Sequence, residues 1–167
     1  MNLPWSVWLL PKLDDQLRLK ILIQKFRLCN PGSYFDAHVT LFGRVSTEPE
    51  SFISFISKKI KYQEIITLNT KSIKRGRTPW KTLYIDFEEN RFLNQLQKQI
   101  TEPLKELREY AFKPHLSLAY GQAYNQKYNY RHISLDKKIE FSSVALVYVP
   151  DKIQDWNIIK EFKFNVN

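Results

Sequence analysis

The spacing of apolar residues along the chain predicts short strands that alternate with three helices. A half-buried strand shows apolar residues at every second position, whereas a helix that packs on a core shows them every three or four. Clusters of turn-forming residues, such as residues 30–33, separate the runs. Strands are predicted at residues 5–10, 64–74, 82–87, 114–120, 139–149 and 156–166, and in a run that follows residue 33 and closes at Gly43.

Each of the three predicted helices carries a row of apolar residues at helical spacing. The first covers residues 13–28, with Asp14 and Asp15 in a first turn where acidic groups favour the helix dipole. The second begins near Pro49, and the third breaks or kinks near Pro103, which lacks an N–H donor. The three rows are Leu13, Leu17, Ile21 and Leu28; Phe52, Ile56 and Ile60; and Phe92, Leu93, Leu96, Ile100, Leu104 and Leu107.

Two hairpins are predicted where neighbouring strands are joined by a short polar loop. One surrounds the basic loop 75–81, and the other surrounds residues 150–155. Residues 122–138 are polar and tyrosine-rich without a clear period, which indicates a loop or a short helix. Because strands outnumber helices and mostly adjoin as hairpins, the expected class is α+β, an antiparallel sheet flanked by helices.

Length and composition indicate one folded unit. With 167 residues, 43% of them hydrophobic, the chain can bury one good core but is short for two independent domains. We expect residues 1–167 to form a single domain with two lobes. The apolar run 3–10 is predicted to be a strand rather than a signal peptide or membrane span, because no basic residue precedes it. The single cysteine, Cys29, excludes an internal disulfide, so a reducing, cytoplasmic location is expected.

The net charge of +9, from 26 Lys+Arg against 17 Asp+Glu, favours polyanions or phosphorylated ligands as partners. Many small proteins are basic without such a ligand, so the charge needs support from specific residues.

A short pattern that occurs twice supplies that support. Residues 35–41 (FDAHVTL) and 112–118 (FKPHLSL) each contain a histidine, an apolar residue, a hydroxyl residue and a leucine, with a phenylalanine three places before the histidine. The two copies are 77 residues apart. Moving residues 6–10 forward by the same 77 positions gives another strand-like run, 83–87, so both halves follow the order strand, helix, His strand. This order indicates an internal duplication with two pseudo-symmetric lobes.

The duplicated pattern has the chemistry of an acid/base site for a phosphate. In a strand, residues two apart point the same way about 7 Å apart, so His38 and Thr40 share a face, as do His115 and Ser117. Histidine both takes and gives a proton near neutral pH, so one could activate water while the other protonates the departing oxygen. Thr40 and Ser117 could donate hydrogen bonds to phosphoryl oxygens. A cyclic phosphodiester fits, because its strained ring needs no metal to open.

Other chemistries fit the sequence poorly. Four glycines provide no Gly-rich phosphate loop. A metal site made from His38, His115 and His132 would need a further ligand at a recognised spacing, and none is present, so no metal and no cofactor are expected. His132 is interpreted as a surface residue and Cys29 as structural.

Aromatic and basic residues are candidates for substrate binding. Trp8 and Tyr120 lie on predicted strands that could flank the cleft, and Trp80 lies in the basic loop. Arg75 and Arg77, with Lys81, could reach a phosphate or could equally form a solvated loop tip.

With both His-x-Thr/Ser-x motifs in place, the chain resembles the 2H phosphoesterase superfamily. Residues 6–11 (SVWLLP) and 113–121 (KPHLSLAYG) are most similar to its cyclic phosphodiesterase branch, and the similarity covers essentially the whole chain. The resemblance implies two lobes of antiparallel sheet related by a pseudo-twofold axis, with flanking helices and a central cleft. It also implies that His38 and His115 are the acid/base pair, that Thr40 and Ser117 hold the phosphate, and that Tyr120 lines the pocket.

The implied activity is metal-independent opening of 2',3'-cyclic nucleotides to 2'-phosphates and of ADP-ribose 1'',2''-cyclic phosphate to the 1''-phosphate. Cleavage of 2',5'-linked oligonucleotides or processing of RNA ends would use the same four residues. A non-catalytic module that binds RNA or nucleotides is a third alternative. The expected partner is the small cyclic substrate, with RNA ends as a further class; no membrane partner is expected, and the protein is expected to be a monomer. The symmetric motif leaves open which histidine is the base.

Overall fold

A computed structural model describes residues 4–29, 34–121, 130 and 133–165. In this part of the chain, helices and strands form an α+β fold with an antiparallel sheet, which confirms the predicted class. The elements are β1 (Trp5–Pro11), α1 (Leu13–Cys29), β2 (Val39–Val45), α2 (Glu50–Lys59), β3 (Ile66–Thr78), β4 (Lys81–Phe87), α3 (Arg91–Thr101), β5 (His115–Ala119), β6 (Lys138–Tyr148) and β7 (Asn157–Lys163).

The strands pair into a closed circuit. The sheet order is β1-β2-β5-β4-β3-β6-β7, and β1 also pairs with β6, so six strands return to their starting point while β7 lies outside on β6. Strand β6 joins the two lobes, since its residues 138–141 pair with β3 and its residues 141–148 pair with β1. All of these pairings are antiparallel.

The circuit has a pseudo-twofold arrangement. Exchanging β1 with β4, β2 with β5, and β6 with β3 reproduces every pairing of the six strands. The single β2–β5 pairing joins Val39 to Leu116, the central residues of the two motifs and 77 positions apart. The axis therefore passes between the two copies of the motif, and the duplication predicted from sequence is visible in the strand order.

The buried face of α1 differs from the predicted one. Leu13, Leu17 and Ile21 are more than half exposed, at 66%, 53% and 55%. The helix instead packs Leu19, Ile23 and Phe26 against the sheet. Asp15 begins this buried face, where its carboxylate accepts a hydrogen bond from the backbone N–H of Glu140 at 2.8 Å and forms an ion pair with Arg18. The helix carries two apolar rows, and the row aligned with this polar anchor is the buried one.

The other two helices follow the prediction more closely. In α2, Phe52 and Ile56 are buried, and Ile60 is buried directly after the helix. Helix α3 begins at an Asn90 cap, whose side chain accepts from the N–H of Leu93 at 3.0 Å. It ends at Thr101 and continues as a 3-10 turn over Glu102–Leu104, as expected for a chain with a proline there. Of its predicted row, Leu93, Leu96, Ile100 and Leu104 are buried, whereas Phe92 and Leu107 are exposed.

Two strands extend at least two residues beyond their predicted ends. Strand β2 continues through Gly43 to Val45, and β3 continues to Thr78, so residues 75–78 belong to a strand and the hairpin turns only at Pro79 and Trp80. The extension of β3 was not predicted, because residues 75–78 include two arginines, whereas strands are normally recognised from β-branched and aromatic residues. The second hairpin contains a 3-10 turn at Ile153–Asp155.

Some predicted features lie outside the described residues. These are the loop or short helix for residues 122–129, 131 and 132, and with it the surface position of His132. The side chains of Leu28 and Cys29, and the break at residues 30–33, lie outside them as well. None of the helices in the described ranges is long and apolar enough to cross a membrane.

Candidate active site

The β2–β5 pairing brings the two motifs together. Because Val39 lies opposite Leu116 in an antiparallel pair, His38 and Thr40 flank the axis on one strand, and His115 and Ser117 flank it on the other. Residues opposite each other in such a pair point to the same face, so the register sets His38 beside Ser117 and Thr40 beside His115. A single register thus combines the two histidines and the two hydroxyl groups on one face.

The two imidazoles are oriented by the same backbone contact. Nδ1 of His38 lies 2.7 Å from the carbonyl oxygen of Asp36, and Nδ1 of His115 lies 2.8 Å from the carbonyl oxygen of Lys113. A carbonyl only accepts hydrogen bonds, so each Nδ1 carries the proton and donates it. In the neutral form, each Nε2 is then left with a lone pair for the cavity. Both rings are therefore set to exchange protons through Nε2.

Aromatic rings enclose His38. The Trp8 ring is stacked on it with centroids 3.6 Å apart and planes within 7°. Trp156 meets the imidazole edge-on at 6.1 Å, and Phe35 does so at 6.4 Å. The Tyr120 hydroxyl lies 3.5 Å from Nε2, at the long limit of a hydrogen bond. His38 is consequently only 4% exposed.

This enclosure makes His38 hard to protonate. Burial lowers its pKa from 6.5 to about 4, because the charged ring loses hydration. The hydrogen bond to the Asp36 carbonyl opposes this shift, and the nearby His115 adds to it. His38 is therefore neutral in the free protein at neutral pH.

His115 has a more open environment. It is half-buried, and the Tyr84 ring meets it edge-on at 5.4 Å instead of stacking on it. Partial burial lowers its pKa, and the hydrogen bond to the Lys113 carbonyl raises it. The positive charge of Lys81 lowers the pKa further, while the carboxylate of Asp86 raises it. Lys81 itself lies over Tyr84, with Nζ 4.1 Å from the ring centroid.

The two hydroxyl residues also differ. Thr40 lines the cavity, whereas Ser117 is buried. Burial raises the pKa of Tyr120 to about 12, and the side chain of Ser117 offsets part of the rise by stabilising the phenolate. The Tyr120 phenol therefore stays protonated near neutral pH and can donate a hydrogen bond beside His38.

Aromatic side chains surround the cavity in which both histidines lie, and its volume is about 200 Å³. Of the nine residues predicted to form the site, His38, Thr40, His115, Trp8, Trp80 and Tyr120 line it. Arg75 and Arg77 do not, because they lie on the end of β3 that extends into solvent. The remaining lining residues are Ser6, Gly43, Arg44, Tyr110, Val149 and Trp156.

Three of these additional residues bring chemistry that the sequence analysis missed. Trp156 packs against Trp8 and Tyr120 in the cavity wall, and its ring centroid lies 5.4 Å from that of Trp8 and 5.6 Å from that of Tyr120. Its indole N–H donates to the carbonyl of Pro150. Tyr110 and Arg44 add a phenol and a guanidinium. No motif contains Trp156 or Tyr110, but Arg44 lies three residues after the end of the first motif, on the same strand, β2.

Strand pairing shows that Trp8 and Tyr84 are equivalent residues of the two halves, although the 77-residue offset of the motifs does not align them. Trp8 pairs with Thr40, and Tyr84 pairs with Ser117. The first strands of the two halves are therefore related by 76 positions, one fewer than the motifs. An alignment at 76 would have matched Trp8 with Tyr84, the two aromatic residues that pack on the histidines.

A larger cavity of about 410 Å³ lies between α1 and residues 133–139, and none of the described residues that line it is a histidine. One of its charged side chains, Arg18, is already paired with Asp15 and Asp136. No group of three or more His, Cys, Asp or Glu in the described ranges is arranged to hold a metal ion. The histidine cavity is therefore the candidate site.

Comparisons with known proteins agree with this geometry. The family model for cyclic phosphodiesterase-like proteins matches residues 3–165. A search of curated proteins found no significant match. Among solved structures, E. coli LigT complexed with 3'-AMP aligns at 15% identity with a TM-score of 0.70, covering 99% of this chain and 100% of LigT. Other LigT structures contain phosphate, ATP or NADP+.

Two further structures share the fold. A phosphoesterase aligns at 14% identity with a TM-score of 0.71, covering 99% of this chain and 100% of the other. The TT0787 protein of Thermus thermophilus aligns at 14% identity with a TM-score of 0.67, covering 96% of this chain and 97% of the other. At these identities the likeness establishes the two-lobed 2H phosphoesterase fold, in agreement with the fold expected from sequence.

Proposed function

The chain belongs to the cyclic phosphodiesterase-like family of the 2H phosphoesterase superfamily, and we propose that it hydrolyses cyclic phosphodiesters of small nucleotides. The proposed reactions open a 2',3'-cyclic nucleotide to the 2'-phosphate and ADP-ribose 1'',2''-cyclic phosphate to the 1''-phosphate. The observation that carries the proposal is the Val39–Leu116 pairing, because it sets around one cavity two histidines whose Nδ1 atoms are held by backbone carbonyls and whose Nε2 atoms keep a lone pair in the neutral form.

The proposed mechanism uses the two rings in opposite protonation states. His38, which is neutral because of its burial, accepts a proton from the attacking water at Nε2. His115, which is more open, is assigned the acid role: in the molecules in which it is protonated, its Nε2 donates that proton to the departing sugar oxygen, although partial burial lowers its pKa as well. The P–O bond of the ring breaks as the P–O bond to water forms, and the two imidazoles end with exchanged protonation states.

Hydroxyl groups and rings complete the proposed site. The Thr40 hydroxyl donates to a non-bridging phosphoryl oxygen, whose negative charge grows in the transition state. Ser117 acts in the same way or through Tyr120, whose pKa its hydroxyl lowers. Trp80 and Trp156, which are more exposed than Trp8, provide flat surfaces for a nucleobase, and the nucleotides bound by LigT support this class of ligand.

The chemistry assigned to these residues does not call for a metal, so we propose a metal-independent reaction. The proton transfers are assigned to imidazoles, and the developing charge is assigned to hydroxyl donors.

A product assay tests the proposal. Purified protein, with and without excess EDTA, is incubated with adenosine 2',3'-cyclic phosphate, ADP-ribose 1'',2''-cyclic phosphate and a 2',5'-linked oligoadenylate. We expect the 2'-phosphate from the first substrate and the 1''-phosphate from the second. For each substrate the rate should be the same with and without EDTA. Faster cleavage of the oligoadenylate would favour the oligonucleotide alternative, and binding without turnover would favour the non-catalytic one. Activity that disappears with EDTA and returns with zinc or magnesium would refute metal independence.

A further inference from the structure

Arg44 occupies an unusual position in the cavity wall. Its φ of 43° lies in the left-handed region, and no other non-glycine residue in the described ranges has a positive φ. A long, charged side chain gains nothing from this conformation by itself, and glycine would adopt it more easily. Such conformations persist where the surroundings hold them, and they concentrate at ligand sites.

Neighbouring side chains hold this backbone in place. The backbone N–H of Arg44 donates to the Ser6 hydroxyl at 2.9 Å. From the other side, the guanidinium of Arg108 donates to the carbonyl oxygens of Gly43 and Arg44, at 3.1 and 3.3 Å. Gly43 itself leaves room for Tyr110, whose ring carbon would lie 3.4 Å from an added Cβ. Strand β1 and the segment before β5 therefore both hold the backbone at Arg44 in place.

The charge of Arg44 stands out among the described residues of the cavity wall. Within that described lining it carries the one permanent charge, because the other titratable groups are two histidines and two tyrosines. Its guanidinium is paired at 2.8 Å with Asp151, whose side chain is 90% exposed. An ion pair this exposed contributes little stability, so an anionic ligand can replace the carboxylate at low cost.

We propose that Arg44 binds a second phosphate of the substrate, and that this contact makes the enzyme prefer phosphorylated over unphosphorylated cyclic nucleotides. The inference rests on the proposed function. A cyclic phosphodiester carries one negative charge, and the histidines and Thr40 are already assigned to bind that phosphoryl group. A guanidinium at the cavity wall suits a further phosphate, since its planar fork can donate two parallel hydrogen bonds. The preferred substrates carry a 5'-phosphate or a diphosphate in addition to the cyclic group.

A pair of substrates that differ in one phosphate tests the proposal. We compare adenosine 2',3'-cyclic phosphate with its 5'-phosphorylated form, using wild type, Arg44→Gln, Arg44→Lys and Asp151→Asn. Arg44→Gln should lower kcat/KM for the 5'-phosphorylated substrate roughly tenfold, mainly through KM, because a charge-assisted hydrogen bond is lost. For the substrate without the 5'-phosphate, kcat/KM should change less than about twofold. Arg44→Lys should retain part of the preference.

Asp151→Asn provides an effect of the opposite sign. Removing the competing carboxylate should raise kcat/KM for the 5'-phosphorylated substrate alone. Arg91→Gln, at an exposed arginine that begins α3, is the matched control and should change neither substrate. Thermal unfolding reports whether each variant is folded, and if Arg44→Gln is not, the Arg44→Lys and Asp151→Asn results decide.

The possible outcomes separate the two proposals. If Arg44→Gln lowers kcat/KM equally for both substrates, Arg44 has a structural role. This inference is then wrong, while the proposed function stands. Equal rates of Asp151→Asn and wild type on the 5'-phosphorylated substrate would also contradict it. If wild type opens neither cyclic phosphate, the proposed function fails, and the role of Arg44 fails with it.

Discussion

His38 and His115 are held by the same backbone contact, but among the described residues aromatic rings enclose His38 far more than His115. In both motifs Nδ1 lies within hydrogen-bond distance of the carbonyl two residues earlier. Around His38, Trp8 stacks face to face and Trp156 meets the ring edge-on, whereas around His115 the described aromatic contact is Tyr84, which meets the imidazole edge-on near Lys81. The pseudo-twofold axis relates the backbones and does not relate the surroundings.

This difference separates two roles of local structure. The short motif fixes which nitrogen carries the proton, because its backbone folds back on its own histidine. Packing from distant parts of the chain then decides how readily the ring becomes charged, since burial removes hydration from the imidazolium. A duplicated motif can in this way supply one neutral and one protonatable histidine, which an acid/base pair requires.

The largest expected effect is on turnover, and it should not distinguish the two halves. Replacing His38 or His115 by alanine should lower kcat by ~10² to 10⁴, because either loss removes one of the two proton transfers. Steady-state rates on adenosine 2',3'-cyclic phosphate measure this effect.

The chain provides its own control for this test. His132→Ala removes the third histidine, to which the sequence pattern gives no role, and it should leave the rate unchanged. Near wild-type turnover of either His38→Ala or His115→Ala would mean that the two motifs do not act as a pair.

The second effect, on stability, should distinguish the halves. A pKa lowered from 6.5 to about 4 corresponds to about 3 kcal/mol, so the folded protein should lose that much stability from His38 as the pH falls through this range. The sign follows from the unfolded chain, which binds the proton more tightly than the folded one. Urea unfolding between pH 7 and 4 should show a steeper loss for wild type than for His38→Asn.

His115→Asn is the matched comparison for this measurement. His115 is half-buried, so its removal should change the pH dependence less than the removal of His38. Equal changes in the two asparagine variants would show that the two environments are equivalent, contrary to the structure.

A third effect compares the two hydroxyl residues. Thr40→Val should lower kcat by about 100-fold, as expected for a lost donor to the transition state. Ser117→Ala should cost less, because Ser117 is buried and does not line the cavity as Thr40 does. Rates of the two variants under saturating substrate measure the difference, and a larger loss for Ser117→Ala would reverse the assignment of the main phosphate donor.

Local patterns explain why the strands and the four motif residues could be predicted. The strand period aligns His38 with Thr40 and His115 with Ser117, and the 77-residue offset identifies the two strands as equivalent. The equivalent strands then meet at Val39 and Leu116, on the axis between the lobes. Repeats of this kind carry tertiary information, because residues related by an internal axis tend to meet on it.

The rest of the site depends on contacts that have no local period. Trp156 reaches the cavity from the far end of the chain, and Tyr110 reaches it from the segment before the second motif. Sequence analysis left open whether Arg75 and Arg77 reach a phosphate or form a solvated loop tip, and in the structure they lie exposed at the end of β3, away from the lining of the cavity. Helix α1 has two rows of apolar residues that could each be buried. The buried row is the one next to Asp15, whose contact with Glu140, 125 residues away, could not be predicted from the local sequence.

The smallest expected effect is on the pKa of His115. Lys81→Met removes a nearby positive charge and should raise this pKa, whereas Asp86→Asn removes a negative charge and should lower it. Lys58→Met, on the exposed side of α2, should leave it unchanged. NMR titration of the imidazole protons in each variant measures these shifts. A decrease in Lys81→Met would contradict the electrostatic account of this half of the cavity.

The most direct test of the inequivalent pair is the titration of both rings in one sample. In the His132→Ala background only His38 and His115 remain, so two imidazole signals can be followed by NMR from pH 8 to pH 3.5 and assigned with His38→Asn. The structure predicts that His115 takes up its proton first, and that His38 stays neutral until the pH approaches about 4. Two rings that titrate together near 6.5, or His38 titrating first, would contradict the account.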